Sequence, residues 1–503
     1  MSFACVHSRA LVGMDAPLVK VEVHASNGLP SLSIVGLPET SVKESKDRVR
    51  SALLNSGFEL PPKRITINLA PADLPKAGSR FDLPIALAVL VATGQLPADA
   101  LEQHEFYGEL GLNGELRQVT GLLPALIKAK EATQTAVIPA PGLVEASLLS
   151  DSRVFGATHL LEICRYLIEG EALSTPPSKQ EADLDYAVDL ADVRGQLQAK
   201  RALEMAASGH HSLLMVGPPG AGKSMLAQRL VTLLPPLSEQ QALESAAIRS
   251  IAGEKIDAER FFQRRVLSPH HSSSAAAIIG GGQNPKPGAL SLAHENILFL
   301  DELPEFNRDV LEALREPLET KQVHISRVKQ HITYPCNNLL VTAMNPSRSG
   351  YFPDDPRCKD TPDQIAKYQR KISGPILDRI DLHLQVPAVE VDQLTAPPDA
   401  NAETSAQVRE RVAATRQRQI ARQGCLNSEL SVAQLDEFVP LSAEDQAFLK
   451  QSMARLQLSA RSYHKLLRIA RTLADMANQS DVGKAHLAEA LAFRSMDRQG
   501  LMA

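Results

Sequence analysis

A glycine-rich stretch between residues 217 and 224 has the residue types and the spacing of a phosphate-binding loop. It follows a short apolar run, Leu213–Val216, and precedes a helix-like run. Successive backbone N–H groups of such a turn can surround anionic oxygens, and the helix that follows directs its positive end at them. The loop consists of Gly217, Pro218, Pro219, Gly220, Ala221, Gly222, Lys223 and Ser224.

This loop fills every fixed position of the pattern G-x-x-x-x-G-K-[ST]. We expect the ammonium of Lys223 to reach the β and γ phosphates and the hydroxyl of Ser224 to ligate Mg²⁺. A chance glycine-rich loop is the alternative, but the strand before it and the amphipathic run after it argue against chance. The sequence therefore predicts a site for ATP and Mg²⁺.

Two adjacent carboxylates, Asp301 and Glu302, end a second apolar run that begins at Asn296. A buried strand that stops at two acids is costly unless a cation or hydrogen-bond donors offset the desolvation of the carboxylates. We therefore expect Asp301 to hold Mg²⁺ through its water shell and Glu302 to polarise an attacking water. A strand that ends in a solvated acidic turn is the alternative.

The elements that must position these residues belong to a chain of 503 residues, which is too long for one hydrophobic core. With 44% hydrophobic and 22% charged residues, the composition is that of an ordinary globular protein. We predict an N-terminal α/β or α+β domain in residues 1–170, a polar linker in 171–184, an α/β P-loop core in 185–390 and a helical domain in 391–503.

Within the N-terminal domain, β-branched or alternating content predicts strands at Val19–Val23, Ser31–Val35, Arg64–Leu69 and Phe106–Leu110. Apolar periodicity predicts helices at Ser41–Ser56, Asp82–Thr93 and Leu122–Ala132.

Charge and cysteine usage limit the partners and the compartment. The formal net charge is −5, so any contact with nucleic acid must use a local basic surface. The five cysteines are scattered and form no CxxC pair, which argues against a disulfide framework. The N-terminus does not have the pattern of a secretory signal, and the longest apolar run, Leu83–Ala92, is too short to span a bilayer. We therefore predict a cytoplasmic protein that does not enter membranes.

Two stretches of the N-terminal domain, Pro75–Gly94 and Gly108–Glu131, resemble the proteolytic domain of Lon-type proteases. The resemblance implies a Ser-Lys dyad. However, Arg80 stands at the position of the nucleophilic serine, with Ser79 one residue early, and Leu123 stands where the lysine is expected. A serine without an activating base is a weak nucleophile. We expect a non-proteolytic relative that acts as a scaffold or a ligand-gripping ring.

Residues on both sides of the phosphate loop resemble the nucleotide-contacting positions of AAA+ ATPases. Asn345, which follows the apolar run Asn338–Ala343, resembles the polar sensor that helps to position the attacking water. The segment that precedes the loop resembles the adenine-side segment of these enzymes and contains Asp192, Val193, Gly195 and Gln196.

Two arginines resemble further AAA+ positions. Arg379 matches the arginine finger that completes the site of a neighbouring subunit, and Arg461 matches the second sensor, which reaches the γ-phosphate from a helical lid and couples nucleotide state to lid angle. A guanidinium suits the finger because phosphoryl transfer spreads charge over the γ-phosphoryl oxygens. A finger that acts on a neighbour requires an oligomer. The alternative for Arg379 is a surface arginine paired with Asp378 or Asp381.

Three longer stretches, Pro269–Ala293, Leu300–Phe306 and Tyr368–Leu382, resemble the magnesium-chelatase-like AAA+ family, and within it the ComM (YifB) group. The resemblance implies a homohexameric, ATP-driven DNA motor. Such a motor moves branch points during integration of transformed DNA, and it binds single-stranded or branched DNA without sequence preference.

Two segments resemble the parts of such a motor that grip nucleic acid. Ser268–Gly288 resembles the loop inserted into the second helix of this AAA+ clade, and Gln322–Tyr334 resembles a β-hairpin with Arg327 and Lys329 near its tip. Positive side chains on a pore hairpin would contact phosphates without sequence preference. An ordinary surface hairpin is the alternative.

Many relatives in this group carry a cysteine-rich segment after the sensor asparagine, which suggests a metal-binding knuckle. Here only Cys358 remains, and one thiolate cannot complete a four-ligand zinc site, so we predict no structural zinc. His270 and His271 are adjacent, so we expect their side chains to diverge. Because no acid is near them in the sequence, we interpret both as loop residues and not as ligands.

Two other functions are compatible with the motifs. The core resembles chelatase-type ATPases that remodel a protein partner for metal insertion, although an N-terminal Lon-like domain is not expected in those motor subunits. An ATP-dependent protease is disfavoured by Arg80 and Leu123. The sequence therefore favours an ATP-hydrolysing branch-migration helicase.

Overall fold

The computed structural model describes residues 2–36, 39–178, 184, 186–282, 285–327, 330–389, 401–456 and 458–494. The chain forms two compact units whose segments alternate along the sequence. The first unit comprises Met1–Asp183, Glu239–Phe261 and His324–Tyr334, and the second comprises Leu184–Ser238, Phe262–Val323 and Pro335–Ala503. Two segments within the core predicted from the sequence, 239–261 and 324–334, therefore belong to the first unit.

The strands are β1 (Phe3–Arg9), β2 (Leu18–Ser26), β3 (Ser31–Val35), β4 (Arg64–Ala70), β5 (His104–Phe106), β6 (Glu109–Leu110), β7 (Leu116–Arg117), β8 (Thr135–Pro139), β9 (Val154–Ala157), β10 (Leu213–Val216), β11 (Val266–Leu267), β12 (Gly280–Gly281), β13 (Lys286–Pro287), β14 (Ile297–Leu300), β15 (Gln322–Arg327), β16 (Gln330–Pro335), β17 (Leu339–Met344) and β18 (Leu382–Gln385).

The helices are α1 (Thr40–Lys43), α2 (Ser45–Asn55), α3 (Asp82–Ala92), α4 (Leu122–Glu131), α5 (Leu143–Ala146), α6 (Leu160–Glu169), α7 (Leu197–Gly209), α8 (Lys223–Leu233), α9 (Glu239–Ala252), α10 (Ala275–Ile279), α11 (Ala289–Leu292), α12 (Arg308–Ala313), α13 (Arg315–Thr320), α14 (Pro362–Gln369), α15 (Gly374–Leu377), α16 (Ser405–Gln423), α17 (Val432–Phe438), α18 (Ala443–Leu456), α19 (Ala460–Met476) and α20 (Lys484–Ala492).

A mixed seven-stranded sheet lies at the centre of the first unit, in the order β3-β4-β2-β1-β5-β8-β9. Strand β2 pairs antiparallel with β1 and β4. The remaining pairs, β3 with β4, β1 with β5, β5 with β8 and β8 with β9, are parallel. Helix α3 packs on this sheet, and all of its residues are buried. A helix that is apolar all round suits such a position. The only carboxylate of this helix, Asp82, accepts a hydrogen bond from Arg48 Nε at 2.7 Å.

Helix α9 packs against α4 in the first unit. The Gly121 N–H donates to the Ser250 carbonyl at 2.8 Å, and the Ser250 hydroxyl donates to the Glu145 carboxylate at 2.7 Å. Burial raises the pKa of Glu145, and the hydrogen bond from Ser250 lowers it in part. A buried carboxylate of the N-terminal segment thus depends on a residue that lies about a hundred positions later in the chain.

A five-stranded parallel sheet lies at the centre of the second unit, in the order β11-β14-β17-β10-β18. Strands β10, β14 and β17 are buried along their whole length, as expected for a parallel sheet covered on both faces. Helices α16 and α19 pack against α7. The second unit is thus a mixed α/β structure consistent with an AAA+ core.

Most predicted elements of the N-terminal region are confirmed with small changes of their ends, but two predictions are wrong. The strand predicted at Phe106–Leu110 is interrupted because the Gly108 N–H donates to the Arg80 carbonyl, and β6 then pairs with β7 in a separate sheet. The helix predicted at Ser41–Ser56 divides into α1 and α2, where the Ser41 carbonyl accepts a hydrogen bond from the Arg48 side chain.

All five cysteines are free in this structure. Among the helices of the described ranges, none combines the length and the apolar character needed to cross a membrane.

A buried carboxylate ties the C-terminal helices together. The Asp475 carboxylate on α19 accepts hydrogen bonds from Arg471 Nη2 at 2.9 Å, from Arg422 Nη1 at 2.6 Å and from the Asn427 side-chain amide at 2.8 Å. Asp475 and Arg471 are almost completely buried. Removal of one member of such a network leaves the other charges without compensation.

We expect Asp475→Ala to lower the free energy of unfolding by about 3–5 kcal/mol, since it leaves the buried Arg471 and the partly buried Arg422 without their anion. Urea denaturation monitored by circular dichroism measures the loss. Asp436→Ala is the matched control, because Asp436 is exposed on α17, and it should change stability by no more than about 0.5 kcal/mol. Equal effects of the two substitutions would contradict the importance of the network.

Candidate nucleotide-binding site

The predicted phosphate loop connects β10 to α8 at the carboxyl end of β10. Gly217 lies against the neighbouring strand, where an added Cβ would lie 2.2 Å from the Val386 carbonyl oxygen. Gly222, the residue before α8, has φ of 83°, a left-handed conformation that favours glycine. The backbone geometry therefore accounts for two of the glycines of the motif.

Lys223 contacts both the loop and the predicted sensor. Its ammonium donates to the carbonyls of Gly217 at 2.7 Å and Pro218 at 3.0 Å, and to Asn345 Oδ1 at 3.0 Å. Burial lowers the pKa of Lys223, while the Asp301 carboxylate acts in the opposite direction. Asn345 follows β17, so the parallel pairing of β10 with β17 brings it to the loop.

Ser224 and Asp301 supply the oxygens that fit a magnesium ion. The Ser224 hydroxyl lies 2.7 Å from Asp301 Oδ2, at the edge of the sheet where β14 ends. Mg²⁺ prefers oxygen ligands and commonly uses one or two protein oxygens together with waters and substrate phosphates. In the part of the chain that the structure describes, no group of three or more His, Cys, Asp or Glu could hold a metal ion. The lack of structural zinc stays a prediction.

Glu302 has an unusual backbone and an unexpected partner. Its φ of 52° is left-handed, which is uncommon for a residue other than glycine and recurs at functional sites. Its carboxylate Oε2 lies 3.0 Å from His271 Nδ1. The expectation that His270 and His271 diverge, away from any acid, is wrong, because their rings lie 4.1 Å apart and His271 meets Glu302.

Sequence reasoning missed His271 because the contact joins segments about thirty residues apart. His271 lies between β11 and α10, next to the strand that carries Asp301 and Glu302. A contact of this kind has no local sequence signal. His271 therefore joins the candidate site as a residue that can orient the Glu302 carboxylate.

The adenine-side segment also contacts the loop. Gln196 Nε2 donates to the Ala221 carbonyl at 2.8 Å. Val193 is buried, and Asp192 pairs with Arg229 of α8 at 2.9 Å. Gln196 thus contacts the phosphate loop, and the roles of Gln196 and Val193 on the nucleoside side of the site stay predictions.

Arg379 and Arg461 line one cavity of about 560 Å³, together with Ser212 and Asp381. Ser212 precedes β10 and Asp381 precedes β18, so this cavity lies at the amino edge of the parallel sheet. The phosphate loop lies at the other edge, and the four residues of β10 separate the two by about 13 Å. The single chain therefore does not bring these arginines to its own phosphate loop.

The Arg379 guanidinium uses all three nitrogens within its own chain. Nε donates to the Arg315 carbonyl at 3.1 Å, Nη1 donates to the Pro375 carbonyl at 2.6 Å, and Nη2 lies 2.5 Å from Glu319 Oε1. Its anionic partner is thus Glu319, a carboxylate that is more than half exposed. Solvent therefore reaches the Glu319 carboxylate of this pair.

A largely buried ion pair links the two arginine-bearing segments. Lys465 Nζ lies 2.7 Å from Asp381 Oδ1, and Lys465 shares helix α19 with Arg461. Burial alone would raise the pKa of Asp381, but Lys465 and His211 lower it well below its ordinary value. Asp381 is therefore ionised, and the pair holds α19 beside the segment that carries Arg379.

The predicted DNA-contact residues are only partly within the described structure. Strands β15 and β16 form the predicted hairpin. Lys329 and the side chain of Arg327 lie outside the described residues. Their contact with DNA stays a prediction.

The residues at the positions of the protease dyad make structural contacts within the first unit. Arg80 is buried and donates to the Thr120 carbonyl, and Leu123 is fully buried. The Ser79 hydroxyl meets the Glu109 carboxylate. A serine whose partner is a carboxylate lacks the lysine that the dyad requires.

The loop, the two carboxylates and the asparagine at the carboxyl edge of a parallel sheet define a P-loop nucleotide-binding core of the AAA+ ATPase type. The chain belongs to the magnesium chelatase family, with residues 189–394 matching magnesium chelatase subunit ChlI, 402–494 the ChlI C-terminal region and 21–141 a further ChlI region. Membership of this family implies the use of nucleotide and Mg²⁺ in general.

Relatives cover almost the full chain. A protein called YifB, of uncharacterised function, from Salmonella typhimurium is 47% identical over 99% of this chain and 98% of its own length. The competence protein ComM of Haemophilus influenzae is 46% identical over 99% of this chain and 98% of its own length. An uncharacterised protein of Mycobacterium tuberculosis is 40% identical over 98% of this chain and 99% of its own length.

We expect His271→Ala to lower kcat for ATP hydrolysis about ten-fold with little change in ATP affinity, because Glu302 loses its orienting partner. His271→Gln, which can still donate a hydrogen bond, should recover part of the loss. Phosphate release and titration with a fluorescent nucleotide measure the two quantities.

His270→Ala is the matched control, since His270 contacts Ser272 and the ring of His271 but not the carboxylate. Equal losses of kcat from His270→Ala and His271→Ala would mean that the loop as a whole, and not the contact with Glu302, supports hydrolysis.

Proposed function

We propose that this protein is an ATP-driven motor that remodels DNA as a homo-oligomeric ring, with six copies as the expected number. It moves branch points of DNA during recombination and natural transformation, and it acts in the cytoplasm. The observation that supports the proposal is that the predicted phosphate loop and the predicted arginine finger lie at opposite edges of one parallel sheet.

Each residue at the carboxyl edge has a role in ATP hydrolysis under this proposal. Lys223 exchanges its loop carbonyls for the β and γ phosphates, and Ser224 and Asp301 hold the Mg²⁺ that neutralises phosphate charge. Glu302, oriented by His271, polarises the attacking water, and Asn345 helps to position it.

Arg379 and Arg461 act on the nucleotide of the neighbouring copy. Both line a cavity at the amino edge, so the phosphate loop of a second copy must approach that face. Arg379 then exchanges Glu319 for γ-phosphoryl oxygens, which a guanidinium fork can neutralise in the transition state. A contact in which one face of a copy meets a different face of the next generates a ring when the rotation closes.

Mixing two inactive variants tests the shared site. Glu302→Gln chains lack the carboxylate but provide Arg379, and Arg379→Ala chains lack the finger but provide Glu302. We expect an equimolar mixture to regain hydrolysis at roughly one contact in four if the copies mix at random. Steady-state phosphate release measures the recovery.

The matched control mixes Glu302→Gln with a Glu302→Gln/Arg379→Ala double variant, where no contact is complete. If the first mixture never exceeds the activity of its separate components, Arg379 does not act across a subunit contact.

Support for DNA as the substrate comes from the full-length relatives. The competence protein of Haemophilus influenzae matches this chain from end to end, so both units of the chain have counterparts in it. The resemblance to the ComM group stated from the sequence implies a DNA motor, and the composite ATP site proposed above is compatible with such a motor.

We expect the protein to convert a synthetic four-way DNA junction into two duplexes in the presence of ATP and Mg²⁺, and Glu302→Gln to bind the junction but not to convert it. The substitution removes the group that polarises water and should lower kcat by about 10²–10⁴-fold. Native gel electrophoresis of labelled junctions measures both outcomes. Conversion by Glu302→Gln at the wild-type rate would contradict the role of ATP hydrolysis.

A chelatase-type ATPase that remodels a protein partner is the second candidate. The observation in its favour is that residues 21–141 match a region named for magnesium chelatase subunit ChlI. The N-terminal region was expected to distinguish this chain from chelatase subunits. Because of this match, it is not an argument against the second candidate. ATP hydrolysis unaffected by any DNA would favour this candidate over the DNA motor.

A further inference from the structure

A second cavity in the second unit, of about 480 Å³, is lined by basic side chains. Arg308 begins α12 on one side of it, and Lys367, Arg370 and Lys371 lie on α14 and just after it on the other. All four are exposed to solvent. The cavity does not include the phosphate loop or the arginines discussed above.

The acids of this cavity do not balance its cations. Glu305 pairs with Lys371, with both carboxylate oxygens at 3.1 Å, and Glu312 pairs with Arg315 at 2.5 Å. Arg315 is not part of the cavity lining. The side chains of Lys367 and Arg370 have neither a hydrogen bond nor an ion pair with any residue that the structure describes. The cavity therefore carries uncompensated positive charge in a chain whose net charge is −5.

We propose that this cavity binds the phosphodiester backbone of DNA, with Lys367 and Arg370 as the principal phosphate contacts. The proposal rests on the proposed function and adds the surface that holds the substrate. Lys367, Arg370 and Lys371 are three and four residues apart, so they project from one side of a helical segment. Exposed lysines and arginines of this kind hold phosphates without reading sequence.

A second copy of this chain is a weaker ligand for such a surface. DNA presents about one negative charge per 1.7 Å of duplex axis. The sequence of this chain has no run of more than two adjacent acidic residues. A dense polyanion therefore fits the cavity better than another copy.

The cavity also lies beside the turn that follows the catalytic carboxylates. Glu305 is three residues after Glu302, in the 3-10 turn Leu303–Glu305, and it holds Lys371. A strand bound here lies next to the segment that hydrolyses ATP. This position suits a motor that must couple hydrolysis to its hold on DNA.

The test uses the full-length double variant Lys367→Gln/Arg370→Gln and a fluorescent single-stranded DNA of mixed sequence. Fluorescence anisotropy measures affinity with a non-hydrolysable ATP analogue, across a salt series. Each lost phosphate contact should reduce the slope of log affinity against log salt by about 0.7, so the double variant should lose about 1.4 in slope and about 25-fold in affinity at 0.1 M salt.

Lys450→Gln/Arg455→Gln is the matched control, because it removes the same charge from exposed positions of α18. This control should keep the wild-type slope. Thermal unfolding checks that the Lys367→Gln/Arg370→Gln chain folds, as expected because neither side chain has a partner among the residues that the structure describes.

The possible outcomes separate the cavity from the function. A wild-type slope in Lys367→Gln/Arg370→Gln overturns the cavity as the DNA site and leaves the motor proposal intact. A wild-type protein that binds no DNA overturns both proposals. Loss of assembly by this variant in sedimentation velocity, with unchanged DNA affinity, also overturns the proposal and assigns the cavity to a contact between copies.

Discussion

The parallel pairing of β10 with β17 on one side and β18 on the other is the constraint on which the candidate site depends. Parallel strands align their carboxyl ends, so the phosphate loop, Asp301 and Asn345 meet although Asp301 lies 77 residues after Ser224 and Asn345 lies 122 residues after Lys223. The same alignment gathers the amino ends at the opposite edge, where Ser212 and Asp381 anchor the arginine cavity.

Burial determines how the charged groups of the two edges behave. The buried ammonium of Lys223 is held by carbonyl oxygens and by Asn345 Oδ1, none of which is an anion. These oxygens stabilise the buried cation without a fixed counterion. Arg379 instead has a carboxylate partner, and that partner is exposed, so the pair is inexpensive to separate. The largely buried Lys465–Asp381 pair is the opposite case, since its separation would leave a poorly solvated charge. Exchange at Arg379 therefore need not disturb the link between α19 and the sheet.

The sequence was sufficient for features whose signal is local. The phosphate loop, the carboxylates after β14 and the asparagine after β17 each follow an apolar strand, and a parallel sheet brings such residues together. Contacts between distant segments had no such signal. His271 meets Glu302, and Glu319 holds Arg379, only because the folded chain places them there. The break at Gly108 likewise involves a hydrogen bond to a distant residue, the Arg80 carbonyl.

The alternation of the two units along the chain affects how the first unit can form. Glu145 is buried within the first 183 residues, yet its partner Ser250 and the residues 324–334 are synthesised much later. A nascent chain that ends near residue 183 therefore has the seven strands of the sheet but not the hydroxyl that satisfies this carboxylate. A cut at the predicted linker therefore separates the first unit from two of its own segments, 239–261 and 324–334. During synthesis, the unit has all of its segments only once the chain has passed residue 334.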